Sequence, residues 1–281
     1  MAEPAQQSWV KTPDGTTLAA WEWGNPDGPE ILLVHGVAQC HLAFARQTAS
    51  DLARDYRLLA YDLRGHGASE KPLEPFLYQD GTMWADDLNA VIAARCRRKP
   101  ILVGWSMGGR VARQYLIHYG DSKLSGINFV ASRVIEDPSV TGPGSPSLRS
   151  GQTADLAGQI DAAIAFLEAC FHKQPSEEDF RVALAYNMLT PRPVREAIGT
   201  WRTDPAIVIA ALRKVRVPTL ITQGLADRVV LPRAAEMIGE AVKHAQISWY
   251  EGSGHSPFYE DAPRFNAELA KFAAEVSDSS M

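Results

Sequence analysis

A serine flanked by glycines carries the clearest chemical signal in the chain. Residues 104–109 read GWSMGG, so Ser106 stands in a G-x-S-x-G pattern that follows an apolar run and precedes an amphipathic stretch. On such a sharp turn the hydroxyl projects above the edge of a sheet, and the backbone N–H of Met107 begins a helix, where it can bind an oxyanion. The pattern predicts a nucleophilic serine. The alternatives are a glycine-rich helix start with an incidental serine, and a phosphate-binding loop, for which the required Lys-Ser/Thr is missing.

A serine hydroxyl near neutral pH needs a base to take its proton, and the base needs an orienting carboxylate. His255 lies in the segment GSGHSP and Asp227 in GLADRVV, and each follows directly after a predicted strand. Loops at the carboxyl edge of a parallel sheet are where active sites gather. We therefore predict that Ser106, Asp227 and His255 form a catalytic triad. For Asp227 alone, a turn aspartate without chemistry is the competing interpretation.

A second oxyanion donor is predicted in the segment 35–37, His-Gly-Val, which follows another apolar run. The backbone N–H of Val37 would oppose that of Met107, and each donor aimed at the developing charge is worth about 3 kcal/mol of the barrier. His35 itself is interpreted as structural. The segment 62–69, DLRGHGAS, is interpreted as a tight structural turn, because no second cluster of acids or histidines completes a metal shell. We therefore predict no metal and no cofactor.

Strands and helices alternate through most of the chain, which predicts an α/β fold with a mostly parallel sheet and helices on both faces. The hydrophobic patterns predict strands over 8–12, 16–23, 30–34, 56–61, 101–105, 127–132, 219–223 and 246–250, and helices over 42–55, 82–95, 232–242 and 262–276, with another helix after Ser106.

The alternation stops after the strand at 127–132. Residues 137–150 are rich in Pro, Gly and Ser and predict a linker. Every candidate element beyond it is helical, over 154–171, 177–189, 194–201 and 205–215. We predict a core domain over 1–136 and 216–281, with a helical cap over 137–215 inserted between two of its strands.

Composition is that of an ordinary globular protein. The chain has 281 residues, 46% of them hydrophobic, and a formal net charge of −5, so nothing favours nucleic-acid binding. No apolar stretch is long enough to span a membrane, and the first residues show no secretory signal. The three cysteines match neither a disulfide framework nor a zinc pattern. We expect a cytoplasmic protein that acts on a small molecule, and the sequence leaves the oligomeric state open.

In order and spacing, five segments resemble the α/β-hydrolase superfamily: 35–36, 62–69, 104–109, 224–230 and 252–257. Within it they look like bacterial esterases and cofactor-free haloperoxidases or perhydrolases, and GWSMGG is similar to the GWSLGG of pimeloyl carrier-protein methyl esterases. The resemblance covers about residues 8–276 apart from the insertion. It implies the family's fold, and the family's roles for the three triad residues and the two backbone donors.

Two positions depart from branches of the superfamily. Ser106 replaces the aspartate of the dehalogenase and epoxide-hydrolase branches, which disfavours those activities. Val37 replaces the aromatic residue that many perhydrolase-like members carry after His-Gly, which weakens that assignment.

The preferred prediction is a carboxylesterase-like serine hydrolase that cleaves an ester or related acyl bond through an acyl-enzyme on Ser106. Perhydrolase or haloperoxidase-like activity, hydrolysis of a lactone or carbon–carbon bond, and a ligand receptor with vestigial turnover are the alternatives. We expect a pocket between the sheet edge and the cap. Its predicted lining residues are His41, Phe44, Trp105 and Phe258, beside Met107; for Phe44 and Phe258, plain core packing is the alternative.

Overall fold

The computed structural model describes residues 6–145 and 155–278, with side chains up to residue 276. Within these residues eight strands form one sheet. In chain order they are β1 (Gln6–Lys11), β2 (Thr17–Gly24), β3 (Glu30–Val34), β4 (Arg57–Tyr61), β5 (Ile101–Trp105), β6 (Gly126–Val130), β7 (Thr219–Gly224) and β8 (Gln246–Tyr250).

The sheet is parallel except at one end. Its strand order is β1-β2-β4-β3-β5-β6-β7-β8. Strand β2 pairs antiparallel with both β1 and β4, whereas all other neighbours are parallel. Because parallel strands end at the same edge, the loops after β3, β5, β7 and β8 lie along one side of the molecule, where ligands bind in such sheets.

Helices occupy most of the remaining chain. They are α1 (Ala45–Thr48), α2 (Leu52–Asp55), α3 (Phe76–Gln79), α4 (Gly81–Arg95), α5 (Met107–Tyr119), α6 (Leu156–Ala169), α7 (Glu177–Met188), α8 (Arg192–Thr200), α9 (Pro205–Leu212), α10 (Arg233–Ala241), α11 (Pro257–Glu260) and α12 (Ala262–Asp278).

The central strands are buried on both faces. Every residue of β3 to β6 is buried, and successive side chains of β3 belong to two different apolar clusters. Leu32 and Val34 pack with side chains of α4, α5 and α10, whereas Ile31 and Leu33 pack with side chains of α12. Because neighbouring residues of a strand point to opposite faces, the two clusters lie on opposite faces of the sheet. This confirms the predicted α/β-hydrolase fold.

The helix-like stretch predicted over 42–55 is not one continuous helix. The segment forms a 3-10 turn at His41–Phe44 and then the short helices α1 and α2. The Ser50 hydroxyl donates to the carbonyl of Gln47 (2.7 Å) and accepts from the N–H of Leu52 (3.2 Å), and such local bonds compete with a continuous helix. Helices α3 and α11 were not predicted, because four residues are too few to show a helical period.

Four described helices, α6 to α9, lie in the chain between β6 and β7. Several of their apolar side chains join the cluster that includes β3 and α5, and Trp201 stacks on Trp84 of α4 with ring centroids 5.3 Å apart. Residues 146–150 of the predicted linker, and the first residue of the helix predicted at 154–171, lie outside the described residues. The division into core and cap stays a prediction.

None of the described helices is both long enough and apolar enough to span a bilayer.

Candidate active site

Ser106 occupies a strained turn between β5 and α5. Its backbone has φ 53° and ψ −113°, a conformation that non-glycine residues rarely adopt and that clusters at functional sites. The glycines around it allow close packing: a Cβ on Gly108 would lie 2.1 Å from the carbonyl oxygen of Val34, and one on Gly104 would lie 2.8 Å from the backbone of Gly108. Larger residues at these positions would therefore push the turn away from the sheet.

The structure brings the three predicted triad residues together. His255 Nε2 lies 2.9 Å from Ser106 Oγ, and His255 Nδ1 lies 2.9 Å from Asp227 Oδ2. The imidazole is fully buried, while Ser106 keeps partial exposure. Trp105 donates its indole N–H to the carbonyl oxygen of His255 (2.8 Å), which fixes the backbone of the histidine loop. When His255 Nδ1 carries the ring proton, Nε2 is unprotonated and can accept a hydrogen bond from the Ser106 hydroxyl.

Several donors hold the Asp227 carboxylate by hydrogen bonds, and the sequence did not predict this group of donors. Its Oδ1 accepts the backbone N–H groups of Val229 (2.8 Å) and Val230 (2.9 Å), and its Oδ2 accepts from Gln223 Nε2 (3.1 Å). These bonds leave Oδ2 directed at His255, so the carboxylate can fix the tautomer with a proton on Nδ1. The available signal for Gln223 was an amide side chain at the last position of the strand predicted over 219–223.

The two predicted oxyanion donors follow β3 and β5. The N–H groups of Val37 and Met107 donate to no acceptor within the described parts of the chain. Gly36 approaches the serine so closely that a Cβ there would lie 3.2 Å from Ser106 Cβ, and Ala38 adopts a positive φ of 56°. Unpaired N–H groups beside a nucleophile can bind an oxygen that gains charge.

His35 ties the loop after β3 to the turn at 62–69. Its Nδ1 lies 2.8 Å from the carbonyl oxygen of Gly36, and its Nε2 accepts the N–H of Leu63 (2.9 Å). Burial lowers the pKa of His35 to about 4, so the ring is neutral at physiological pH. These contacts agree with the structural role predicted for His35.

Cys40, His41 and Asp62 form one group of potential metal ligands within the described residues, with ligand atoms within 4.8 Å of one another. The Asp62 carboxylate already accepts the backbone N–H groups of His41 (2.8 Å) and Ala68 (2.7 Å). Burial raises the pKa of the Cys40 thiol to about 12, which disfavours the thiolate that binds metals. The hydrogen bonds that hold the turn at 62–69 explain why these three side chains lie close together.

None of the four predicted lining residues belongs to the described lining of the cavity of about 610 Å³ at Val37. Phe258 packs against Trp105 (4.7 Å between ring centroids) and Phe44 (5.3 Å), and all three rings are buried in the apolar cluster on the α12 face. His41 stacks on Trp21 with centroids 3.5 Å apart. For Phe44 and Phe258 the contacts are those of the packing alternative.

A cavity of about 610 Å³, within the size range of small-molecule sites, is lined in part by Val37 and Ala38 of the loop after β3. Residues of α6, α7 and α8, residues 143–145 and Arg228 also line it. Its polar and charged side chains include Asn187, Arg192, Arg195, Glu196, Glu168 and Arg228. Sequence reasoning named none of these six, because packing between inserted helices leaves no local pattern.

Glu260 of α11 joins the histidine loop to the inserted helices. Its Oε1 accepts the N–H groups of Gly254 (2.8 Å) and Ser256 (3.3 Å), which flank His255. Its Oε2 accepts the N–H groups that follow α6, those of His172 and Lys173, both at 2.8 Å. One carboxylate therefore positions two separate segments.

The fold and this site define the class of protein. Residues 31–268 match the alpha/beta hydrolase family, so the chain belongs to that family. It is similar in structure to a candidate aryl esterase from Burkholderia cenocepacia, with 36% identity, a TM-score of 0.92 and coverage of 97% of this chain and 100% of the other.

Two further proteins are similar to this chain over nearly their whole length. An esterase from Rhodococcus sp. ECU1013 is 31% identical, with a TM-score of 0.89 and coverage of 96% of this chain and 99% of the other. The AB hydrolase superfamily protein YisY of Bacillus subtilis is 29% identical, and the match covers 94% of this chain and 98% of that protein. The predicted family and the resemblance to bacterial esterases are confirmed.

Proposed function

We propose that this α/β hydrolase is a serine carboxylesterase that cleaves small-molecule esters through an acyl-enzyme on Ser106. The observation that carries the proposal is the continuous chain of contacts from Ser106 Oγ through His255 to Asp227, with 2.9 Å at each step. The esterase relatives support ester bonds as the substrate class.

The proposed reaction has two steps. Ser106 Oγ attacks the carbonyl carbon while its proton moves to His255 Nε2, and the carbonyl oxygen gains a negative charge that the N–H groups of Val37 and Met107 stabilise. The C–O bond breaks and the alcohol leaves with the proton from Nε2. Water then attacks the acyl-enzyme, gives its proton to Nε2, and releases the acid and the free serine.

We further propose that the segment 137–215 acts as a cap over this chemistry. Its helices α6 and α8 line the cavity that begins at Val37, so they surround a substrate that reaches the oxyanion loop. In this proposal the residues of the sheet edge supply the reaction, and the inserted helices select the substrate.

Replacing Ser106 tests the proposal. Ser106→Ala should lower kcat on a p-nitrophenyl ester by roughly a million-fold, as removal of a triad serine does elsewhere, because His255 alone cannot form the acyl-enzyme. A fluorophosphonate probe should label Ser106 once per chain, as mass spectrometry of the labelled peptide would report.

Ser122→Ala is the matched control, since Ser122 is exposed and far along the chain from the elbow. It should keep full activity and labelling. Labelling at another serine, or an alanine variant of Ser106 with most of its activity, would refute the mechanism.

A further inference from the structure

The cavity that Val37 lines contains an arginine that has no acidic partner among the described residues. Arg195 of α8 donates from Nε to the carbonyl oxygen of Thr190 (3.0 Å), and its Nη2 lies 4.0 Å from Met188 Sδ. Burial lowers the pKa of its guanidinium, and no described carboxylate raises it. Within the part of the chain that the structure describes, the guanidinium therefore lines the cavity with N–H groups that have no oxygen acceptor.

The neighbouring arginine of the same helix differs in this respect. Arg192 Nε donates to Glu196 Oε1 at 2.7 Å, one turn further along α8, so its charge is balanced. Two other charged lining residues, Glu168 and Arg228, are exposed and of opposite sign. The negative charges of Glu196 and Glu168 offset the positive charges of Arg192 and Arg228, so the positive charge of Arg195 is left unbalanced. This charge fits a ligand group with a single negative charge.

A second unsatisfied donor lines the same cavity. The Asn187 side chain is 1% exposed, and its Nδ2 has no hydrogen-bond partner among the described residues. Burying an amide without a partner destabilises the folded protein, so such groups call for a functional explanation. Asn187 lies on α7 and Arg195 on α8, so separate elements supply the two donors.

Resting on the proposed function, we propose that Arg195 and Asn187 form a carboxylate subsite, and that the enzyme prefers esters whose acyl or alcohol part carries a carboxylate. The subsite shares one cavity with the oxyanion loop at Val37. A substrate that places its ester carbonyl at Ser106 extends past Val37, and its distal carboxylate accepts N–H groups of Arg195 and Asn187. Charge-assisted hydrogen bonds of this kind give both affinity and orientation.

The test compares matched pairs of esters over a series of chain lengths. Each pair consists of a p-nitrophenyl hemiester of a dicarboxylic acid, from succinate to suberate, and the ester of equal length in which an isopropyl group replaces the carboxylate. At one or more lengths the hemiester should have a kcat/KM at least about tenfold higher than its neutral partner, as one charge-assisted hydrogen bond provides. A wild-type enzyme that prefers the neutral ester at every length overturns the proposal.

Two arginine variants separate a direct contact from a general electrostatic effect. Arg195→Gln and Arg192→Gln each remove one positive charge from the same helix and the same cavity. Arg195→Gln should lower the hemiester-to-neutral ratio at least about tenfold, and by clearly more than Arg192→Gln, whose lost charge acts only through the field in the cavity. Equal losses in both variants, or a ratio that survives Arg195→Gln, overturn the assignment.

The variant Asn187→Leu tests whether Asn187 binds the substrate or only supports the fold. Because the amide nitrogen has no hydrogen-bond partner among the described residues, the apolar replacement should leave Tm unchanged or raise it, while lowering the hemiester-to-neutral ratio. A full ratio in this variant excludes Asn187 from the subsite and overturns that half of the assignment.

Binding to an inactive enzyme distinguishes this proposal from the proposed function. Calorimetry on Ser106→Ala should show tighter binding of methyl hemiesters than of their isopropyl analogues, with a loss of about tenfold or more when Arg195→Gln is added. If this difference is present but the wild type hydrolyses none of the esters, the proposed hydrolysis fails and the subsite stands. If hydrolysis proceeds without the difference, the subsite fails alone.

Discussion

His35 and His66 are buried, neutral imidazoles beneath the candidate site. Burial lowers the pKa of His35 to about 4 and that of His66 to about 3, from an ordinary value of 6.5. The nearby charges act in both directions, since Asp62 raises both values, His41 lowers that of His35 and Lys71 lowers that of His66. Below about pH 6.5 these two histidines bind protons in the unfolded chain but stay neutral in the folded chain.

The free energy of unfolding should therefore fall between about pH 7 and about pH 5. The stabilisation is present above the ordinary pKa and is lost progressively as the pH approaches the folded values, by at most about 1.4 kcal/mol per pH unit for each histidine. Urea unfolding at the two pH values measures it. His66→Gln should reduce the slope, whereas His118→Gln, at an exposed position, should not. A flat profile in the wild type would mean that these rings are charged in the folded protein.

The placement of the candidate triad was more predictable from the sequence than the lining of the cavity, for a physical reason. Ser106, His255 and Asp227 each follow a strand, and a parallel sheet brings strand ends to one edge whatever the rest of the sequence does. Phe44 and Phe258 are also near that edge in sequence, but their rings fill the apolar cluster below it. Near the edge, sequence position alone cannot separate a side chain that faces the cavity from one that packs behind it.

At the scale of elements, α11 has an influence beyond its four residues. Replacing Glu260 by Gln substitutes an amide donor for one acceptor oxygen, so N–H groups of Gly254 and Ser256, or of His172 and Lys173, lose their partner. Gly254 and Ser256 are buried, and each buried N–H left unpaired costs about 1–3 kcal/mol, whereas His172 and Lys173 are exposed and water can replace their lost partner. We expect a lower Tm and a lower kcat, because the segment holding His255 is less fixed.

Thermal unfolding and steady-state kinetics on Glu260→Gln measure the two effects. Glu251→Gln is the control, since Glu251 is an exposed carboxylate near the same loop. It should leave both quantities unchanged. A Glu260 variant with wild-type kcat and Tm would show that the four N–H groups find other partners.

Strands were predicted more accurately than short helices. The sequence predicted the strands over 30–34, 101–105 and 246–250 with the observed bounds, because each is a compact apolar run bounded by turn residues. The helix-like stretch predicted over 42–55 is broken in the structure, because its apolar residues can be buried by several short turns as well as by one helix. Amphipathic periodicity needs length, and α1, α2, α3 and α11 have four residues each.

At the scale of the whole molecule, the inserted helices and the sheet share an apolar interior. Val194, Trp201 and Leu212 belong to the same cluster as Leu32 of β3 and Val111 of α5. We therefore expect one cooperative unfolding transition, with coincident midpoints by circular dichroism and tryptophan fluorescence. Two separated transitions would show that the insertion unfolds on its own.

Trp201 is the side chain to change for this test. Its ring stacks on Trp84, and the Arg110 guanidinium lies 4.2 Å from its centroid. Trp201→Ala should destabilise the whole protein by about 3–5 kcal/mol in that single transition, as loss of a buried aromatic ring does. Ile207→Ala, at a side chain that is 52% exposed, should have little effect.

The place where α6 to α9 leave the sheet has a consequence for how such a protein diversifies. The insertion departs after β6, whereas the candidate chemical residues follow β3, β5, β7 and β8. Substitutions in the departing segment therefore change the cavity lining without changing the sequence of these four loops, as long as the backbone at residues 172 and 173, which binds Glu260, is kept. In our proposal a lineage can explore new substrates there, and an engineer can randomise the cavity-facing sides of α6 and α8 while the sequence of the candidate catalytic loops stays the same.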